Sequence, residues 1–173
     1  MTKKSFIQNA CVAVSAFTVA CGSLPALGQD QTSPTQYINL ATARAMVDAA
    51  EDAAKKANVH VAIAVVDANG DLVLSVRLDG AWDKAVTSCQ GKARAALLFG
   101  TPTKQLQDAV AAGRTVEAKL TAPVSGAVEL TLWQGGLPII RDGKVIGGIG
   151  VGGSPSPQDE KIAQAGIDAI LKK

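Results

Sequence analysis

The sequence is poor in the residues that most often carry a chemical function. Aromatic residues make up 3% of its 173 residues, and it has three cysteines and one histidine, His60. Nucleic-acid-binding surfaces combine basic stripes with aromatic side chains on which bases stack. No such stripe is present, so we expect no nucleic acid among the partners.

The first 28 residues have the pattern of a secretory signal peptide. Lys3 and Lys4 precede an apolar run over residues 10–20, which is too short to span a bilayer, and Ala26 and Gly28 fit a small-residue cleavage site. We therefore predict cleavage after Gly28 and a periplasmic or secreted protein.

A second cleavage site remains open before Cys21, where the sequence faintly resembles a lipoprotein signal. Residues 29–38 are polar and contain proline, and they are predicted to form a flexible tail. The domain proper is assigned to residues 39–173, with no transmembrane helix.

Removal of a 28-residue signal leaves 145 residues and changes the charge and the cysteine count. Lys3 and Lys4 leave with it, so 15 basic side chains face 15 acidic ones, and Cys89 is the only cysteine that remains. A lone cysteine excludes an internal disulfide. With one histidine and one cysteine, a zinc site of the usual His/Cys type is excluded within one subunit.

Hydrophobic periodicity and turn residues predict the element order α-β-β-α-α-β-β-β-α in a single compact domain. The class is α+β, with a five-stranded, mainly antiparallel sheet. Four helices are predicted, and a short fifth is an option within 115–121. The helices are expected at 40–57, 83–99, from Pro102 to Gly113 and after Ser156, and the strands at 59–67, 71–78, 128–133 and on both sides of Asp142-Gly143.

The densest glycine cluster, Gly135–Gly153, is predicted to be a hairpin, because Asp142-Gly143 between apolar runs is a strong turn signal. Glycine weakens a strand interior, so this many glycines require a close approach to the second strand. Two interpretations are open. A helix or a neighbouring subunit packs against the strand, or a flat ligand lies on it.

The end of this cluster, Gly148–Gly153, matches G-x-G-x-x-G letter for letter. A dinucleotide site also needs a second parallel strand and an acidic residue about 20 positions on, and the remaining chain is one predicted helix. A nicotinamide cofactor is therefore not expected. The amides near Ser154 and Ser156 lie at a predicted helix N-terminus, which favours a carboxylate or a phosphate.

The other candidate residues each allow a structural interpretation. His60 is either a hydrogen-bonded residue at a sheet end or an axial ligand to haem iron, and no C-x-x-C-H motif for covalent attachment is present. Cys89 is expected to be a buried, inert thiol. Lys92 and Arg94 are interpreted as solvated helix charges unless an anionic ligand lies nearby. Two tryptophans are expected in the core or at an interface, Trp82 and Trp133.

Several segments in order resemble one family, the GlcG/HbpS-like haem-binding (haem-degrading) proteins, which are related to the C-terminal domain of PduO-type corrinoid adenosyltransferases. The resemblance extends over Leu40–Leu171, and no single segment is specific by itself. The matching segments are 61–70, Arg77–Ala81, Lys92-Ala93, Pro102-Thr103 with Leu106, Gly135–Ile139, Gly147–Gly153 and Gln158–Glu160.

The resemblance implies a compact α+β domain that forms dimers and often octamers. It implies non-covalent haem binding in some members, with haem capture, iron-linked sensing or haem degradation as the roles. It points to Thr103 as the residue near the iron, and His60 is a second candidate. Lys92, Arg94 and the donors around Ser154 and Ser156 would then hold the propionates. The alternatives are a site for a small hydroxy- or oxo-acid, with or without enzymatic activity, and an oligomeric scaffold or signalling partner without a ligand.

Overall fold

A computed structural model of the protein describes residues 37–119 and 129–171. The predicted signal peptide and residues 29–36 of the predicted tail lie outside them. Ile38, at the end of that tail, is 5% exposed and belongs to the core, so the folded core begins before Asn39.

The described residues form four helices and four strands. Asn39 caps the first helix, since its Oδ1 accepts a hydrogen bond from the Thr42 N–H at 2.8 Å. The elements are α1 (Leu40–Lys56), β1 (Ala62–Asp67), β2 (Leu72–Arg77), α2 (Ala85–Phe99), α3 (Thr103–Ala111), β3 (Gly136–Arg141), β4 (Lys144–Gly152) and α4 (Ser156–Leu171).

The strands make one open antiparallel sheet in the order β2-β1-β4-β3. The α+β class is confirmed. The β3–β4 hairpin is confirmed as well, with Asp142 and Gly143 both at positive φ, 50° and 73°, as a two-residue type I′ turn requires.

The predicted strand at 128–133 is wrong over its described part, so the described sheet has four strands instead of five. Residues 129–132 are irregular and lie against α2, where a Cβ on Gly91 would come within 2.5 Å of Thr131 Oγ1. Contact with the helix takes the place of strand pairing. The optional helix at 115–121 is also wrong for residues 115–119, which are irregular, and its last two residues lie outside the described chain.

The two faces of the sheet are packed in different ways. One face carries the large apolar side chains of β1, β3 and β4, which pack with α1 and α4 around Met46, Ile149 and Ile162. The other face is covered by α2. There the core combines two larger side chains, Val66 and Leu97, with small residues, Ala62, Ala64, Ala85, Cys89 and Ala93.

The glycines of β4 lie beneath α2. A Cβ on Gly148 would lie 2.2 Å from Ala93 O, and one on Gly150 would lie 2.1 Å from Cys89 O. Helix backbone therefore rests directly on strand backbone. This decides between the two interpretations of the glycine cluster, because a helix occupies the face where a flat ligand would have to lie.

Cys89 is buried at this contact, as predicted. Its Sγ donates a hydrogen bond to Val86 O at 3.1 Å, and burial raises the pKa of the thiol from 9.0 to about 12.

We expect the free energy of unfolding to fall as the pH rises above 9. The unfolded chain releases the Cys89 proton near pH 9.0, whereas the folded chain holds it to about pH 12. The stabilisation is complete below the unfolded pKa and is lost towards the folded pKa, by at most about 1.4 kcal/mol per pH unit. Urea unfolding at several pH values measures the slope. Cys89→Ala is the control, and an unchanged slope in that variant contradicts the assignment.

Candidate functional site

A shallow cavity of about 320 Å³ opens where β1 begins and β4 ends. This volume is at the lower end of the range for small-molecule pockets, roughly 300–1,000 Å³. The cavity is lined by Asn58, Val59, His60, Gly80, Trp82, Gly153, Ser154 and Pro155. It therefore brings together two of the predicted site residues, His60 and Ser154.

Strand register explains this proximity. In the antiparallel β1–β4 pair, Ala62 lies opposite Gly152. His60 lies two residues before Ala62, and Ser154 lies two residues after Gly152, so both are found at the same end of the strand pair. The intervening Gly153 has φ +130°, and a Cβ there would lie 2.7 Å from His60 O, so the two backbones are in direct contact.

His60 is exposed, and its ring packs against Gly80. A Cβ on Gly80 would come within 3.1 Å of His60 Nδ1, and Gly80 itself has φ +80°. Next to it, Trp82 is 51% exposed. Trp82 also lines a second cavity of about 320 Å³, with Lys84, Thr87, Ser88, Glu129 and Thr131. The indole thus presents apolar surface to two adjoining hollows.

A buried ion pair connects to the cavity through Ser154. Lys92 Nζ lies 2.8 Å from Asp159 Oδ2 and donates a second hydrogen bond to Val151 O at 2.9 Å. The two charged side chains are 4% and 2% exposed. The other carboxylate oxygen, Asp159 Oδ1, accepts from the Ser154 N–H at 3.0 Å and from its hydroxyl at 2.6 Å. The ion pair therefore makes four hydrogen bonds, counting the one between its two members, as buried charges require.

The prediction that Lys92 is a solvated helix charge is wrong, because the residue is 3% exposed. Its ammonium is committed to Asp159, so in the single chain it does not face a surface ligand. Sequence spacing carries the signal: Lys92 lies three residues after Cys89 and four before Ala96, which are both on the buried face of α2. Asp159, its partner, was absent from the predicted site.

The start of α4 offers fewer donors than its sequence suggests. The N–H and hydroxyl of Ser154 are taken by Asp159, and the Gln158 N–H binds Pro155 O at 2.7 Å. Pro155 and Pro157 have no N–H. Among the described residues this leaves Ser156 as the candidate donor to an external anion, and the small hydroxy- or oxo-acid alternative, which relied on this helix start, loses most of its support.

Thr103 is fully buried beside Gly136. Its Oγ1 accepts from the Gly136 N–H at 2.8 Å and lies 3.3 Å from Gly136 O, to which it donates. The hydroxyl thus fastens α3 to the first residue of β3. Arg94 lies at the other end of β1, where its Nε donates to Gly70 O at 3.2 Å. Neither residue lines the His60 cavity.

Both tryptophans are too exposed for the core: Trp82 is 51% exposed and Trp133 is 67% exposed.

In the part of the chain that the structure describes, no three His, Cys, Asp or Glu side chains cluster as a metal site would require. The same residues include no helix long and apolar enough to cross a membrane.

These features define a class: a small α+β domain with one antiparallel sheet between helices, and a shallow cavity lined by His60, Ser154 and the exposed Trp82. Comparison of the sequence with protein families narrows it. The family described as haem-degrading protein HbpS-like matches residues 38–168. The chain belongs to this family, which confirms the resemblance seen in its sequence segments.

Individual relatives agree with this assignment. The chain is 36% identical over 136 residues to an uncharacterized 15.0 kDa protein from the dhaT-dhaS intergenic region of Citrobacter freundii, covering 77% of this chain and 92% of that one. It is 39% identical over 109 residues to protein GlcG of Escherichia coli K12, covering 63% and 76%. A crystal structure of a PduOC:haem complex superimposes with a TM-score of 0.66 at 30% identity, covering 76% of this chain and 94% of that one.

Proposed function

We propose that this protein binds haem non-covalently at the face that carries the His60 cavity. One observation carries the proposal: an exposed imidazole and a half-exposed indole line the same hollow. Neutral imidazole is a common axial ligand of haem iron, and an indole gives apolar contact area to a porphyrin. Membership of a family described as haem-degrading, and a relative in complex with haem, support it.

The residues fit such a group in part. His60 would hold the iron, Trp82, Val59 and Pro155 would contact the macrocycle, and Ser156 would donate to a propionate. A hollow of about 320 Å³ encloses only part of a porphyrin. We therefore propose that a second copy of the chain covers the rest, in a homo-oligomer from dimer to octamer.

His60 is the better candidate for the iron than Thr103. The Thr103 hydroxyl is 0% exposed and has Gly136 on both its donor and its acceptor side. To reach iron it would have to break both hydrogen bonds and separate the start of α3 from the start of β3. The His60 ring requires no such rearrangement.

Bound haem would supply the iron, and with it the redox chemistry. The chain would supply a ligand, an apolar wall and exclusion of water from one face. This fits haem capture, sequestration or iron-linked sensing better than a dedicated catalyst, and haem degradation remains a further role within the proposal. We also propose export, on the pattern of residues 1–28, to the periplasm or beyond.

We expect purified protein without a polyhistidine tag to shift the Soret band of added haemin and to bind it with one site per chain. His60→Ala should weaken binding at least about tenfold, because it removes the iron ligand. Thr103→Val should leave the affinity within about twofold once the folded fraction is taken into account.

Absorption titration and circular dichroism on the same samples measure binding and folding together. Absence of a Soret shift in the wild-type protein would exclude the proposed function. Loss of binding in a folded Thr103→Val variant, with His60→Ala unaffected, would move the iron to Thr103.

A further inference from the structure

The second hollow beside Trp82 carries two opposite charges without a partner. It is the cavity lined by Trp82, Lys84, Thr87, Ser88, Glu129 and Thr131. Lys84 is the residue that precedes α2, and Glu129 belongs to the irregular segment that lies against this helix. Both side chains are exposed, and among the described residues neither takes part in an ion pair.

The segments that line this hollow also leave large apolar side chains in water. Trp82 is 51% exposed, and residues 129–133 bring Leu130 and Trp133 to the surface at 39% and 67%. Two tryptophans exposed to this extent offer roughly 300 Å² of contact area, about a third of the ~800 Å² that each partner buries in a standard interface. Tryptophan is also enriched among the residues that dominate binding energy. The surface formed by Trp82, Lys84 and residues 129–133, here called the tryptophan face, therefore has the composition of an interface.

The two charges select a second copy of this chain as the occupant. In a two-fold interface the same surface lies on both sides, so a contact from residue i to residue j is matched by one from j to i. A partner surface of one charge sign would leave either Lys84 or Glu129 facing a like charge. A second copy satisfies both, because Lys84 of each protomer can meet Glu129 of the other.

We propose that the tryptophan face is a two-fold interface between copies of this chain, with two reciprocal Lys84–Glu129 ion pairs beside the two Trp82 indoles. Trp82 also lines the His60 cavity, so the second copy would fix the indole at the edge of that cavity. The contribution of the interface to haem binding rests on the proposed function, whereas the interface itself does not.

Exchange of the two charges tests the pairing. Lys84→Glu and Glu129→Lys each place like charges at both meeting points, which is unfavourable across an interface. We expect either single variant to raise the dimer dissociation constant at least about tenfold at low salt. The double variant, Lys84→Glu with Glu129→Lys, should recover most of the affinity. Sedimentation velocity of the full chain without haemin, over a series of concentrations, measures the constant.

A mixture of the two single variants gives a stricter test. In a mixed dimer each meeting point joins an acidic with a basic side chain, so the equimolar mixture should associate more strongly than either variant alone. Lys144→Glu is the matched control, because Lys144 is exposed at the far end of β4 and the charge change is the same. It should leave the dissociation constant unchanged, and circular dichroism checks that every variant is folded.

Three results would overturn the inference. The first is a wild-type protein that stays monomeric up to about 100 µM. The second is association of the single variants that equals that of the wild type, since the contact would then lie elsewhere. The third is an equal loss in Lys144→Glu, because net charge and not the pairing would then govern association.

Haemin titration of the same samples distinguishes this inference from the proposed function. Lys84 and Glu129 do not line the His60 cavity, so we expect them to affect haemin binding only through the dimer. If the dimer responds to the charge changes as expected but no sample binds haemin, the interface stands and the proposed function fails. If haemin binds while the protein stays monomeric, the proposed function stands and the interface is excluded.

Discussion

Replacement of Lys92 by methionine should lower the free energy of unfolding by about 3–5 kcal/mol, because it leaves the Asp159 carboxylate buried without its cation. The side chains of the pair are 4% and 2% exposed, and Lys92 Nζ also satisfies Val151 O. Urea unfolding followed by circular dichroism measures the loss.

Two controls locate the cause. Lys92→Met with Asp159→Leu removes both charges and should recover most of the loss, since an apolar replacement of a buried pair is often close to neutral. Lys104→Met breaks the exposed pair with Asp108 and should cost no more than about 1 kcal/mol. A single variant as stable as the wild type would show that Asp159 is not held buried by Lys92.

Gly150→Ala should be at least as damaging as a typical overpacking substitution, about 3 kcal/mol. The added methyl group would lie 2.1 Å from Cys89 O and 2.6 Å from Ala93 N. Both neighbours are helix backbone, which cannot turn aside as a side chain could. To make room, α2 would have to lift from the sheet.

The loss of stability should depend on how closely α2 approaches each glycine. At Gly152 the nearest atoms are Ser88 Oγ at 3.0 Å and Ala85 O at 3.2 Å, so Gly152→Ala should cost about 1 kcal/mol. Gly143→Asn, in the turn at φ +73° with nothing within 4 Å, should be nearly neutral because asparagine tolerates the left-handed region. Equal losses at positions 143 and 150 would contradict the packing explanation. Thermal and urea unfolding of the three variants decide it.

The features of this fold that could be predicted from the sequence depend on residues close together in the chain. The Asp142-Gly143 turn and the Asn39 cap depend on neighbours within four residues, and both are confirmed in the structure. The predicted strand at 128–133 is wrong over residues 129–133, because alternation alone does not reveal a competing surface. Contact of Thr131 with Gly91 of α2 takes that segment away from the sheet.

The candidate site was less predictable, because its connections span long stretches of chain. Lys92 and Asp159 are 67 residues apart, and His60 and Ser154 line one cavity only because β1 begins beside the end of β4. The sequence allowed His60 and Ser154 to be chosen as separate candidates from their chemistry. Their shared cavity, and the carboxylate beneath it, required the tertiary structure.

The direct contact between α2 and the glycines of β4 bears on how this chain can diverge. On the α1 and α4 side of the sheet, side chains such as Met46, Ile149 and Ile162 can exchange volume with one another, so many sequences can fill that layer. Beneath α2 the glycines of β4 have no side chains to exchange, and their α2 neighbours are backbone atoms. At Gly148 and Gly150 the height of the helix above the sheet is set by contact of backbone with backbone. We therefore expect the core residues on the α1 and α4 side to vary among homologous sequences, and the glycines of β4 beneath α2 to vary little. Trp82 lies in the loop that leads into α2, so its distance from His60 should also be kept in those sequences.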